Sequence, residues 1–218
     1  MTQYRWESLG LFSVPLIKLK LDRSEEVREL FFSRVQNLSQ AQTNTASNTD
    51  NLTHYHNDSN VFSTYPELSW LKRWIEESAG FVYHDLLNYK RSGAMKLVSA
   101  WFNLAQAGAS QTKHAHANSL LSGTLYLNTD KETSITFYHP LTTGSLHNEL
   151  FDQAVQKHNE HGLQYHFTQV EISVKQGECL FWPSRLAHGY SNNRTNNRLS
   201  FSFNLMPERL NSVYQILN

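Results

Sequence analysis

Apolar and polar residues alternate from Ser13 to Leu21 (SVPLIKLKL), a period of two that predicts a strand. Ser24 then precedes EEVRELFFSRVQNL, where Glu25 and Glu26 fall in the first turn of a capped helix. The stretch from Gln40 to Asn60 is rich in Asn, Thr, Ser and Asp and has almost no apolar period. It predicts a long loop, a candidate lid. A second helix is expected from near Pro66, reaching as far as Tyr89, with Leu68, Leu71, Trp74, Ile75 and Phe81 at helical spacing. From Lys96 the texture becomes that of strands: KLVSAWFNLA, KHAHANS, LLSGTLYLN and TSITFYHP follow one another. A polar insertion covers 141–165, after which TQVEISVKQ, ECLFWPS and RLSFSFNLM resume the pattern. Many short strands at this spacing predict a mainly β sandwich or barrel with helices packed outside it. With no internal repeat and no linker, the expectation is one domain over 1–218. Within it, 1–95 is a helical support region with a polar loop and 96–206 is the β core.

Composition narrows the function classes. The formal net charge is zero, with 19 basic and 19 acidic residues, so bulk charge favours neither nucleic acid nor an anionic membrane. A single cysteine, Cys179, rules out an intramolecular disulfide framework. No apolar run approaches the roughly 18 residues of a membrane span, and the start, MTQYRWESLG, lacks the pattern of a signal peptide. The expected location is the cytoplasm, without a membrane partner.

Histidine changes the picture more than charge does. Of the 11 histidines, seven stand out as His54/His56, His114/His116, His158/His161 and His188. On a strand, positions i and i+2 share a face, so His114 and His116 can both reach one metal ion. His188 follows the strand CLFWPS and its turn, and Arg198 opens the next strand ten residues later. Alternation there places Arg198, Ser200 and Ser202 on one face and Leu199, Phe201 and Phe203 on the other. A guanidinium beside a hydroxyl is a clamp for a carboxylate.

The series of His-x-His, a distant His, and Arg-x-Ser ten residues on resembles the 2-oxoglutarate/Fe(II) oxygenase superfamily. It resembles in particular a small group, often viral or marine bacterial, with the pattern W-x-N…H-x-H-x-N-S…L-S-G-x-x-Y-L…F-P-S…H…R-x-S-x-x-F-N. Here the pattern is carried by Trp101, Asn103, His114, His116, Asn118, Ser119, LLSGTLYL, FWPS, His188 and RLSFSFN, from Leu97 to Leu205. The resemblance implies a double-stranded β-helix core of the jelly-roll, cupin-like kind. It also implies an oxygenase, most simply a hydroxylase, that uses iron(II), 2-oxoglutarate and molecular oxygen. His114, His116 and His188 would be the metal ligands, and Arg198, Ser200, Tyr126 and Asn103 would lie at the co-substrate. One departure stands out: His116 occupies the place where the superfamily carries Asp or Glu.

Rival readings are a cupin-like three-histidine dioxygenase that does not use 2-oxoglutarate, against which Arg198 and Ser200 argue, and a non-catalytic β-barrel that keeps a metal for stability. His54 and His56 fall in a polar loop, His158 and His161 fall in the insertion without an HExxH motif, and His139 precedes Pro140. All five are expected to be structural or solvated, and the tryptophans are expected in the core. The primary substrate is not legible, and a homo-oligomer is compatible with everything above.

Overall fold

The computed structural model describes residues 14–34, 40–41, 51–55, 61–89, 93–140, 169–211 and 214–215. The insertion 141–165, with His158 and His161 among its histidines, lies outside these, as do His56, Trp6 and most of the polar loop.

The elements in chain order are β1 (Ile17–Lys20), α1 (Ser24–Arg34), β2 (Gln40–Ala41), β3 (Leu52–Tyr55), α2 (Val61–Thr64) and α3 (Ser69–Phe81). They continue with β4 (Met95–Ala105), β5 (Gln111–His114), β6 (Leu121–Asn128), β7 (Ser134–Tyr138), β8 (Gln169–Ser173) and β9 (Glu178–Pro183). The last are β10 (His188–Tyr190), β11 (Arg198–Pro207), β12 (Arg209–Asn211) and β13 (Tyr214–Gln215). A seven-stranded sheet runs β1-β9-β6-β11-β4-β3-β2, and a four-stranded sheet runs β5-β10-β7-β8. Every strand pair in them is antiparallel.

The large sheet owes its two faces to strand alternation. On β11, Leu199, Phe201, Phe203 and Leu205 are fully buried. They join Phe102, Leu125, Phe181 and the helix residues Val27, Phe31, Leu71 and Ile75 in the main core. α1 packs against β6 and α3 against β4. A smaller apolar cluster, with Ile135, Phe137, Leu180 and Trp182, joins the two sheets on the other side. Gly123 of β6 sits where a Cβ would run into the Phe203 ring and come within 2.7 Å of the Leu180 carbonyl, so glycine is required for close packing there. Among the described residues no helix is long and apolar enough to cross a membrane.

Four expectations need correction. The segment from Gln40 to Asn60 is not wholly loop: β2 and β3 lie in it, and β3 pairs with β4. β4 would otherwise expose a row of unpaired backbone groups on that edge, and Leu52 and Tyr55 are buried as β3 docks. Through β1 and β3, residues before 96 thus contribute to the main sheet as well as to the helical layer. Second, the helix from Pro66 starts as a 3-10 turn, Pro66–Leu68, and ends in a π-helical turn, Val82–Leu86. Third, Leu68, Leu71, Ile75, Ala79 and Val82 form the buried stripe; Phe81 falls off that spacing and is 47% exposed. Finally, β5 stops at His114, so His116 is not on a strand.

Candidate active site

Two short strands bring the first histidines together. In the β5–β10 pair, His114 and His188 are directly opposite, and His188 is also opposite Phe137 of β7. Directly opposed residues on an antiparallel pair are close enough for their side chains to meet. Gly189 permits this approach: a Cβ there would lie 2.5 Å from the Gln111 carbonyl oxygen and 3.0 Å from that of Thr112. His116 arrives by another route. The chain leaves β5 at Ala115, and the His116 backbone N–H donates to the Ser184 carbonyl at 2.9 Å. That bond, not strand alternation, turns its ring inward. Ring centroids are then 4.4 Å apart for His114–His188, 5.3 Å for His114–His116 and 5.2 Å for His116–His188. One ring nitrogen from each lies within 4.8 Å of the others, a spacing that could hold a metal ion.

The hydrogen bonds say which nitrogen is free. His114 Nδ1 donates to the Thr112 carbonyl at 2.8 Å, and His188 Nδ1 donates to the Leu186 carbonyl at 3.0 Å. His116 Nδ1 donates to Asn204 Oδ1 at 2.7 Å. A carbonyl oxygen only accepts, so each Nδ1 carries the proton and each Nε2 keeps its lone pair. Burial, with His114 adding to it, pushes His188 down to about 3. Burial also lowers His116, against the opposing pull of its bond to Asn204. Neutral imidazoles are the state a metal requires. Among the described residues none that lines the pocket is acidic. Asp130 and Glu132 are engaged elsewhere, with Thr133 and Arg194 respectively.

The inner face of the large sheet supplies the rest. Ser200 is in register with Asn103 of β4 on one side and Tyr126 of β6 on the other. Asn103, Tyr126, Arg198 and Ser200, the residues expected near a co-substrate, therefore line one pocket with the three histidines. Arg198 is buried, with its guanidinium 3.9 Å from the Tyr190 ring centre and 5.9 Å from that of Tyr126. Its Nη2 donates to the Ser134 carbonyl at 2.9 Å. Among the described residues no carboxylate pairs with it. A buried cation without an anion is costly, so this pocket is built to receive one. Burial pushes the Tyr126 hydroxyl up to about 12, although the neighbouring Arg198 pulls it the other way. Asn103 Nδ2 donates to Ser202 Oγ at 2.9 Å, while Asn103 Oδ1 and Trp182 Nε1 are buried without a partner. Orphaned polar atoms in a cleft are sites where a ligand can bond.

Several pocket residues escape a reading of the sequence. Trp101, expected in the core, is half-buried and stacks on His116 at 6.0 Å, while Trp182 meets His188 edge-on at 4.8 Å from within the smaller apolar cluster. Tyr190, within a polar run, supplies the platform under Arg198. Asn204 holds His116. The available signal was the polar alternation Ser122, Thr124, Tyr126 on β6 and Ser200, Ser202, Asn204 on β11, which marks a hydrated inner face. His54 lies on β3 and His139 follows β7, and neither is among the residues lining the pocket.

Two antiparallel sheets closing on such a pocket form the double-stranded β-helix. Three of the solved structures that share it illustrate the likeness. The non-heme alpha-ketoglutarate-dependent epimerase SnoN from nogalamycin biosynthesis is 16% identical, with 90% of this chain and 77% of that one covered and a TM-score of 0.61. A prolyl hydroxylase from Trichoplax adhaerens, in complex with a hypoxia-inducible-factor peptide, is 12% identical over 88% and 84%, with a TM-score of 0.59. HygX from Streptomyces hygroscopicus, with nickel and 2-oxoglutarate bound, is 12% identical over 94% and 86%, with a TM-score of 0.56. No curated protein matches the sequence. Residues 99–204 match the family described as "Putative 2OG-Fe(II) oxygenase". This match spans the pocket-bearing strands from β4 into β11 and, with the shared fold, supports an oxidoreductase dependent on iron(II) and 2-oxoglutarate.

Proposed function

We propose that the enzyme is a hydroxylase whose iron is held by His114, His116 and His188 and whose 2-oxoglutarate is anchored by Arg198. Ser200, Tyr126 and Asn103 complete the co-substrate pocket. The observation that carries this is the pairing, in one pocket, of three histidines with free Nε2 atoms and a buried guanidinium lacking an anionic partner. Bound iron supplies the redox chemistry that couples oxygen and 2-oxoglutarate decarboxylation to oxidation of a substrate. The protein's own groups bind and orient. The three imidazoles present lone pairs, Arg198 and Ser200 hold a carboxylate by charge-assisted hydrogen bonds, and Tyr126 stays protonated and can donate. Three neutral ligands leave iron(II) its full double charge, which dianionic 2-oxoglutarate neutralises. Such a site favours the anionic co-substrate more than it favours bare metal. The same reading takes 1–218 as a single domain working in the cytoplasm on a substrate of undefined class.

The test is anaerobic iron titration, with succinate formed from 2-oxoglutarate as the activity readout. Wild type should bind iron and form succinate only with iron present. His116→Ala should bind iron more weakly, and retained activity in His116→Asp would mark the position as a ligand site. Iron affinity in His116→Ala equal to wild type would overturn the three-histidine assignment.

A further inference from the structure

We infer that Asn204 is a positioning residue that selects the metal-binding tautomer of His116. The inference rests on His116 being a ligand. A neutral imidazole can carry its proton on either nitrogen, and only the Nδ1–H form leaves Nε2 free for a metal. For His114 and His188 the backbone makes this choice, because main-chain carbonyls accept from Nδ1. For His116 the acceptor is a side-chain amide, and an amide reversed end for end would offer a donor instead. In the structure the Asn204 amide presents Oδ1 to His116 and Nδ2 to Ser99.

Asn204 is 4% exposed, and both ends of its amide are hydrogen-bonded. Its Nδ2 donates to Ser99 Oγ at 2.9 Å. Its Oδ1 accepts from Ser122 Oγ at 2.7 Å as well as from His116 Nδ1 at 2.7 Å. Ser122 Oγ lies 2.9 Å from Ser184 Oγ, which Ser119 Oγ reaches at 2.8 Å. The residue whose carbonyl anchors the His116 backbone, Ser184, thus belongs to the same network that orients its ring. Strand register builds this cluster: Asn204 is opposite Ser99 of β4 and Ser122 of β6. A β-bulge follows at once, where Leu205 pairs with Leu97 and Val98 is left over. Bulges re-aim side chains beside active sites. A carboxylate ligand has no tautomer to choose, so a histidine in its place requires a selector, and Asn204 is placed to be one.

The test needs no turnover. In metal-free protein labelled with ¹⁵N at histidine, the ring-nitrogen shifts of neutral His116 report the tautomer. Wild type should show Nδ1–H. Asn204→Leu should move the proton to Nε2, and its anaerobic iron affinity should fall on the order of 10–100-fold, the usual cost of removing a partner of a ligating histidine. Asn204→Asp keeps an acceptor at the same place, so it should retain Nδ1–H and bind iron at least as tightly as wild type. If Asn204→Leu does not fold, Ser99→Ala substitutes for it, since losing the Nδ2 acceptor should mix the tautomers and loosen the metal. An Nδ1–H ring in Asn204→Leu with wild-type iron affinity overturns the inference, as does an Asn204→Asp protein that binds no better than Asn204→Leu. His116→Ala separates the two claims. Weak iron binding there with normal binding in Asn204→Leu defeats only the selector. Normal binding in both variants defeats the ligand assignment too.

Discussion

Arg198 joins the residue-level chemistry of the site most directly to a measurement. It is buried, stacked on Tyr190 and bonded to one backbone carbonyl, which leaves most of its donors for a ligand. Arg198→Ala should weaken 2-oxoglutarate binding by about 2–5 kcal/mol, as losing the partner of a desolvated charge does, while leaving iron affinity near wild type. Titration of 2-oxoglutarate into the anaerobic iron complex checks this, and unchanged co-substrate affinity would exclude Arg198 as the clamp. Tyr126 makes a prediction about pH. Its hydroxyl titrates at 10.0 ordinarily and is pushed up to about 12 in the fold, chiefly by burial. A raised folded value means its contribution is complete below about pH 10 and is lost as pH rises through about 12. The stability lost over that window should be on the order of 2 kcal/mol. Chemical denaturation at stepped alkaline pH should show a shallower slope in Tyr126→Phe than in wild type. An identical slope would remove Tyr126 as the source.

At the scale of elements, β5 and β10 are four and three residues long, yet they bring His114 directly opposite His188. Their spacing depends on Gly189, where a methyl group would press on two carbonyls of β5. Gly189→Ala should push β10 away and carry His188 from His114. Overpacking costs typically about 1–3 kcal/mol, and iron affinity should drop with it. Thermal melts and iron titration test the pair of effects, and a variant with weakened stability but wild-type iron affinity would show that the strand spacing does not govern the site. The loop before β11 is likewise built rather than slack. Asn193 donates to the Gln106 and Thr195 carbonyls, and Asn197 adopts a left-handed φ of 61°, which asparagine tolerates, immediately before Arg198. An asparagine-rich run thereby delivers the guanidinium to its place.

For the whole molecule, the helical layer and the site lie on opposite faces of one sheet, and their energetics should separate. Ile75 is fully buried in the helix-side core. Ile75→Ala should cost about 2–5 kcal/mol of stability with iron and 2-oxoglutarate affinities unchanged. Loss of both would mean that the helices shape the pocket itself. Ligand removal gives the complementary test. Iron at about 100 times its dissociation constant should stabilise the fold by roughly 2.7 kcal/mol, so a chelator should lower the melting temperature. 2-Oxoglutarate should add a further increment that Arg198→Ala abolishes.

The sequence alone determined the repeating features. Period-two alternation on β4, β6, β9 and β11 decides which side chains face the helices and which face the pocket, because a strand has only two sides. That was enough to put Arg198, Ser200 and Ser202 on one face, while Asn103 and Tyr126 were expected inward only from the family resemblance, and the spacing of the histidines marked them as a set. What depends on distant chain segments was settled by tertiary structure. His116 lies beyond the end of its strand and is aimed by Ser184 and Asn204, 68 and 88 residues away in sequence. The short β3 has little period of its own and exists because the β4 edge needs a partner. Tyr190 under Arg198 carries no local signal, and for Asn204 the alternation of β11 marks only its face, since both roles come from the neighbours that packing supplies. Local pattern encodes a side chain's face; only the packed chain fixes its partner.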